Sequence, residues 1–218
     1  MKNRLILGIA LFTLLSTFIS QKKIKLNKFK IQEIKILNNN ILEDQELEKI
    51  FSFLYNKNLI FLSPYELKKV IDPKNFIKKI EIKKIFPDKL VIKVFEKEPI
   101  AILIDGDNKF YLGKKIDLIE YQEISKIKNL PIVYGNQKKF EILFHDLIEI
   151  NFPISEIQSY YLFKTNRWDI IMKNNKLIKL PNTNYDLSLK NFLKIKNKKS
   201  FDSYKIFDYR LKNQLILK

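Results

Sequence analysis

Few side chains in this 218-residue chain could carry chemistry, and their types exclude most reactions. Cysteine is absent, which removes thiolate nucleophiles, disulfides and cysteine-ligated metals. With a single histidine, His145, the chain can assemble neither a two-histidine metal site nor a serine–histidine–aspartate triad. Within Phe144-His145-Asp146 it reads as an ordinary helix residue. Gly8, Gly106, Gly113 and Gly135 lie too far apart for a phosphate-cradling loop or a nucleophile elbow. Asp105-Gly106-Asp107-Asn108 has the acidic start of a calcium loop but lacks the later glycine and glutamate, so it reads as a hairpin turn. Glu96 and Glu98 flank Lys97 on one strand edge and read as solvated. The expectation is a chain with no catalytic site, no metal, no cofactor and no small-molecule substrate.

The remaining chemistry is charge. Lysine and arginine total 41 against 24 acids, a formal charge of +17. Only Arg4, Arg167 and Arg210 are arginine, the residue that base edges and phosphates favour. Lysine, isoleucine and asparagine are all abundant and share AT-rich codons, so codon bias explains much of the surplus. Nucleic acid is not an expected partner. The run Lys22, Lys23, Lys25, Lys28 and Lys30 suits an anionic membrane surface better.

That run follows an apolar segment. Leu5 to Ser20 carry no charge and, as a helix at about 1.5 Å per residue, span about 24 Å against a hydrocarbon core of about 30 Å. Phe18 and Ile19 occupy positions where a signal-peptide cleavage site needs small residues, which favours an uncleaved anchor. Its lipid-facing residues would be Leu5, Leu7, Leu11, Phe12, Leu14, Leu15, Phe18 and Ile19. Lysines are denser after the segment than before it, and a bare positive-inside count would keep the remainder in the cytoplasm.

The elements behind the anchor alternate. Phe29 to Leu37 predicts a strand with a bulge between Ile31 and Ile34. Asn38-Asn39-Asn40 is a turn, and Leu47, Ile50, Phe51 and Leu54 share one helix face. Ser63-Pro64-Tyr65-Glu66 is a capping box opening a helix to about Ile71. Strands follow around Ile80 and Ile82, ending at Phe86-Pro87-Asp88, and around Leu90, Ile92 and Val94. This β-α-α-β-β order makes a small α+β domain. Beyond Pro99 come a hairpin, 101–104 with 109–112, a helix over 140–150, and a second hairpin, 167–173 with 176–180, around Asn174-Asn175. A helix over 185–195, a lysine-rich loop over 194–199 and one last strand from about Tyr204 to Leu217 complete the chain.

The β-α-α-β-β unit resembles a POTRA domain. Lys84-Ile85-Phe86-Pro87-Asp88-Lys89-Leu90-Val91-Ile92 and Phe95-Glu96-Lys97-Glu98-Pro99-Ile100-Ala101 resemble a pattern of the FtsQ/DivIB family of bacterial cell-division proteins. Leu130 to Gly135, Arg167-Trp168-Asp169-Ile170 through Leu180-Pro181, and Asp208-Tyr209-Arg210-Leu211 resemble three later motifs of that family, in order. The family's "l-i-D-x-x-G" is degraded here to Phe110 through Lys115, which changes that turn's chemistry.

The resemblance implies three parts: 1–23, a short cytoplasmic tail and transmembrane anchor; 27–98, a POTRA domain; and 99–218, a second α+β domain with a mostly antiparallel sheet. It implies a non-enzymatic, single-pass protein of the inner membrane at the division septum, N-terminus cytoplasmic and bulk periplasmic. Implied partners are FtsB- and FtsL-type division proteins, with the septal peptidoglycan synthase complex beyond them. They would be captured on the edge from Asp208 to Leu217 by Asp208, Tyr209, Arg210, Leu211, Asn213, Leu215 and Ile216, with Arg210 the anchor. In a competing reading Arg210 merely pairs with Asp208. Trp168 is expected in the core. Two other classes fit less of the chain: a POTRA-type envelope chaperone holding client strands near Ile80 to Ile92, and a basic nucleic-acid-binding membrane protein.

Overall fold

The computed structural model describes residues 2–16, 26–68, 70–72 and 75–218. Helix α1, Lys2–Ser16, is apolar on every side: Leu5, Leu7, Leu11, Phe12 and Leu14 are each more than half exposed. An all-round apolar surface of this kind belongs in an apolar medium or a core. No described helix is long and apolar enough to cross a membrane. Of the expected anchor residues, Phe18 and Ile19 lie outside the described residues, as does the side chain of Leu15.

The first body has the expected β-α-α-β-β order. Strands β1 (Glu33–Leu37), β2 (Ile77–Ile85) and β3 (Lys89–Glu96) form a sheet with β3 central, parallel to β1 and antiparallel to β2. Helices α2 (Asp44–Phe51) and α3 (Pro64–Lys68) join β1 to β2. Leu47, Phe51 and Leu54 are fully buried with Leu90, Ile92 and Val94, as the 3.6- and 2-residue periods require.

Two local expectations are corrected. Phe29 ends a 3-10 turn, Leu26–Phe29, rather than starting a bulged strand. The phase slip marks a change of partner: Ile31 N–H donates to Lys57 O at 2.9 Å, whereas Gln32 N–H donates to Asp88 O at 2.9 Å. At the capping box, Ser63 Oγ accepts from Tyr65 N–H at 3.2 Å and Glu66 pairs with Lys57; the helix is described over Pro64–Lys68. Glu96 is not solvated. Its carboxylate accepts from the N–H groups of Asn40 and Ile41 at 2.7 Å and of Leu42 at 2.8 Å, holding the loop that enters α2.

The second body is one nine-stranded mixed sheet. In chain order its strands are β4 (Pro99–Asp105), β5 (Asn108–Gly113), β6 (Leu118–Glu120), β7 (Ile132–Tyr134), β8 (Ile157–Leu162), β9 (Trp168–Met172), β10 (Leu177–Lys179), β11 (Ile206–Asp208) and β12 (Ile216–Leu217). Across the sheet they run β12-β11-β10-β9-β8-β7-β4-β5-β6. A parallel pair needs a crossover. Helix α4 (Gln137–Glu149) supplies it between β7 and β8, and α5 (Tyr185–Ile195) between β10 and β11. Phe140, Leu143, Leu147, Leu189 and Phe192 from these helices pack with Val133, Tyr160, Ile170, Ile178 and Phe207 from the sheet.

Trp168 is 4% exposed and belongs to this core. Gly135 lies beside it: a Cβ there would sit 2.7 Å from Leu162 Cβ and 3.2 Å from Trp168 Cη2, so only glycine allows the close approach. The two bodies share apolar contacts. Phe76 of the first meets Tyr111 of the second edge-on at 5.5 Å, and Tyr111 stacks on Tyr121 at 4.9 Å.

Candidate partner-binding edge

The C-terminal end of the large sheet is built in steps. The hairpin β9–β10 turns at Asn175, whose φ of 62° asparagine tolerates, and sets Asp169 opposite Lys179. Strand β11 then runs parallel to β10 and sets Asp208 on the other side of Lys179. Acid, base and acid thus lie in one row across three strands, the arrangement in which opposite charges support a sheet.

Two arginines flank the row. Arg210 folds back on Asp208 as a fork: Nε lies 2.8 and 3.0 Å from its two carboxylate oxygens, and Nη2 lies 2.6 Å from Oδ2. The Asp208 carboxylate also accepts from the Arg210 backbone N–H at 3.1 Å. These bonds hold the Asp208 carboxyl below its usual range and raise the Arg210 guanidinium further. Asp169 is the opposite case. Burial pushes its carboxyl up, while Arg167 pulls it down with Nε 3.6 Å away, close enough to attract and too far to hydrogen-bond.

The expected single strand from Tyr204 to Leu217 is broken, and this is a correction. Strand β11 ends at Asp208, a turn with Asn213 left-handed at φ 59° reverses the chain, and β12 returns antiparallel to β11. The free edge is therefore β12, two residues long, rather than 208–217. Ile206 and Lys218 exchange both backbone bonds, at 2.9 and 3.1 Å. Alternation along an antiparallel ladder then turns the N–H and C=O of Leu217 outward, away from β11.

The named residues fall into three groups. Asp208 and Tyr209 are buried, and the Tyr209 hydroxyl donates to Asn191 Oδ1 at 2.9 Å. Leu215 packs against the core cluster. Arg210, Leu211, Asn213 and Ile216 reach the surface. A groove of about 580 Å³ lies between this turn and the start of α5, with Asn184, Leu187, Asn191, Arg210 and Leu211 on its walls. Motif reading missed Asp169 and Lys179 as members of the charged row and Leu187 as a groove wall. The hairpin register around Asn174-Asn175 carried the first signal; nothing in the linear chain carried the second.

Elsewhere among the described residues, His145, Asp146 and Glu149 bring ligand-type atoms within 4.8 Å of one another. Asp146 there is held by the Tyr185 hydroxyl, and the group is a helix surface.

Comparison with known proteins fits the two bodies. A family model described as "POTRA domain, FtsQ-type" matches residues 29–97, and one described as "Cell division protein FtsQ/DivIB, C-terminal" matches 103–210. The chain belongs to the FtsQ/DivIB family. The cell division protein FtsQ of Rickettsia conorii is 28% identical over 219 residues, covering 93% of this chain and 76% of that protein. FtsQ of Rickettsia bellii is 27% identical, covering 85% and 71%. The extracytoplasmic domain of DivIB from Geobacillus stearothermophilus aligns with 45% of this chain and 89% of its own, at 15% identity and a TM-score of 0.33, too loose a likeness to argue from. For an FtsQ-type chain, the motif Asp208-Tyr209-Arg210-Leu211 has a clear local role: it turns the chain from β11 toward the edge strand.

Proposed function

We propose that this chain is a non-enzymatic, single-pass inner-membrane component of the division machinery. The segment Leu5–Ser20 anchors it, with the N-terminus in the cytoplasm and the two bodies in the periplasm at the septum. It links early to late division proteins by binding an FtsB/FtsL-type pair, which in turn connects to the septal peptidoglycan synthase complex. The three parts are 1–23, 27–98 and 99–218.

The observation that carries this reading is the unpaired outer edge of β12, beside a groove and a charged row. An exposed edge recruits an extended partner segment by adding a strand. Leu217 supplies outward backbone groups, Leu211 and Ile216 supply exposed apolar contact, and the groove takes side chains beyond the strand. Arg210 serves two ends: it fixes the turn through Asp208 and leaves the outer part of its fork, on a side chain 41% exposed, toward a partner carboxylate.

The test is recovery of partners with the full chain from solubilised membranes. Leu217→Pro removes one outward donor and leaves the bonds to β11, as edge strands tolerate; Leu217→Ala controls for lost packing. Partner recovery should fall at least about tenfold, roughly the 1.4 kcal/mol expected for one lost edge hydrogen bond, for proline only. Equal recovery by both variants would place the interface elsewhere.

A further inference from the structure

The end of the first body that receives the chain from α1 is also rich in exposed apolar side chains. The turn Leu26–Phe29 is zipped onto the loop before α3, where Leu59 N–H donates to Phe29 O at 2.7 Å and Lys30 bridges Asn58. The β2–β3 turn, Phe86-Pro87-Asp88, closes the same end, with Phe86 edge-on to Phe29 at 6.2 Å. Lys84 Nζ ties the loop to β2 through Leu62 O at 2.9 Å and Ile60 O at 3.3 Å.

From this rim Phe61 stands 70% exposed, Phe86 57% and Ile60 42%, beside exposed Lys28 and Lys30. The body's own core does not use them, because Leu54, Leu59 and Leu62 fill the space beneath. The second body is no candidate to cover them either. It abuts the opposite end of β2, next to Ile77, and a nine-residue strand puts that end roughly 30 Å away. Meanwhile only the nine residues Thr17–Lys25 link α1 to the rim, a reach of about 30 Å at full stretch.

We infer that this rim is a second membrane contact, with Phe61, Phe86 and Ile60 in the interfacial layer of the bilayer that holds the anchor and Lys28 and Lys30 over anionic headgroups. The inference rests on the anchor reading above. Aromatic rings settle at the headgroup level, and juxtamembrane lysines are drawn to anionic lipid. Entry of the chain, exposed rings and lysines coincide at one end, which favours lipid over a protein partner. The contact would also steady an anchor whose uncharged stretch is shorter than the hydrocarbon core.

The absence of cysteine makes the test clean. The full chain, reconstituted into phosphatidylcholine–phosphatidylglycerol vesicles, is spin-labelled singly at Ile60→Cys, at Leu11→Cys in α1, or at Leu187→Cys on the second body. Labels at 11 and 60 should collide readily with oxygen and be several-fold shielded from an aqueous nickel reagent, with 187 the reverse. If 11 is shielded while 60 matches 187, the anchor stands, this inference falls, and the rim belongs to a protein. If 60 is shielded and 11 is not, the anchor reading falls and with it the rim as a second contact, leaving lipid contact at the rim alone. If both are water-exposed, both fall. Adding Phe61→Ser and Phe86→Ser to the Ile60→Cys chain should return the label to water; continued shielding there would overturn the assignment to these rings.

Discussion

The Arg210 guanidinium is committed within its own chain, and this gives the Asp208 carboxylate a measurable part in stability. Asp208 titrates below its unfolded value in the folded state, so its contribution is present above the unfolded value and is lost as pH falls through the folded one. Asp208→Asn should therefore lower stability at pH 7 by about 1–2 kcal/mol, discounted because Arg210 is partly exposed, and should flatten the acid limb below about pH 4. Urea unfolding at pH 7 and at pH 3 checks both; equal losses at the two pH values would show that the ion pair contributes nothing to stability. Asp169 has the opposite sign, since burial raises its folded value and makes its ionised form costly above the unfolded one. Motif reading located Arg210, Asp208 and Trp168, because residue type and neighbours along the chain carry that signal. The competing reading of Arg210, a pair with Asp208 two residues before it, is the contact the structure shows. Ile116 escaped notice: it sits left-handed at φ 58° in the turn after Gly113, a strained place for a β-branched residue, and is buried at 5% exposure.

At the scale of elements, loop 39–43 shows how one side chain from a distant strand organises a helix entry. Glu96 satisfies three backbone N–H groups just ahead of α2, whose N-cap residue Glu43 accepts no side-chain bond from the helix's own first N–H groups. Glu96→Ala should destabilise the first body by about 2–3 kcal/mol. Hydrogen exchange at Asn40, Ile41 and Leu42 should quicken well before that of β8; unchanged protection there would contradict the cap. Helices α4 and α5 and both hairpins were legible because their apolar spacing matches their period. Strand β8 is not legible in the sequence. It is central and buried, and Ile157–Leu162 lacks the clean alternation of a half-exposed strand. The final strand was over-extended for a related reason, because a short turn between two apolar stretches leaves the linear pattern nearly unbroken.

For the whole molecule, the decisive joint is Tyr111. It is 2% exposed, belongs to the second sheet, and packs in the first body's core cluster against Phe76. Tyr111→Ala should cost about 3–5 kcal/mol, on the scale of a buried aromatic truncation. By loosening the shared contacts it should also split one calorimetric transition into two. A single transition at a lower midpoint would mean that the bodies are coupled elsewhere. Composition, period and motif order, all properties of neighbouring residues, determined the apolar N-terminal segment, the two-body plan, the family and the lack of catalytic inventory. The tertiary structure alone decided which edge is free, that Glu96 caps a loop more than fifty residues before it, and that Phe61 and Phe86 share a rim where the chain enters. Those are meetings of residues far apart in sequence, and only the closure of long loops brings them within reach.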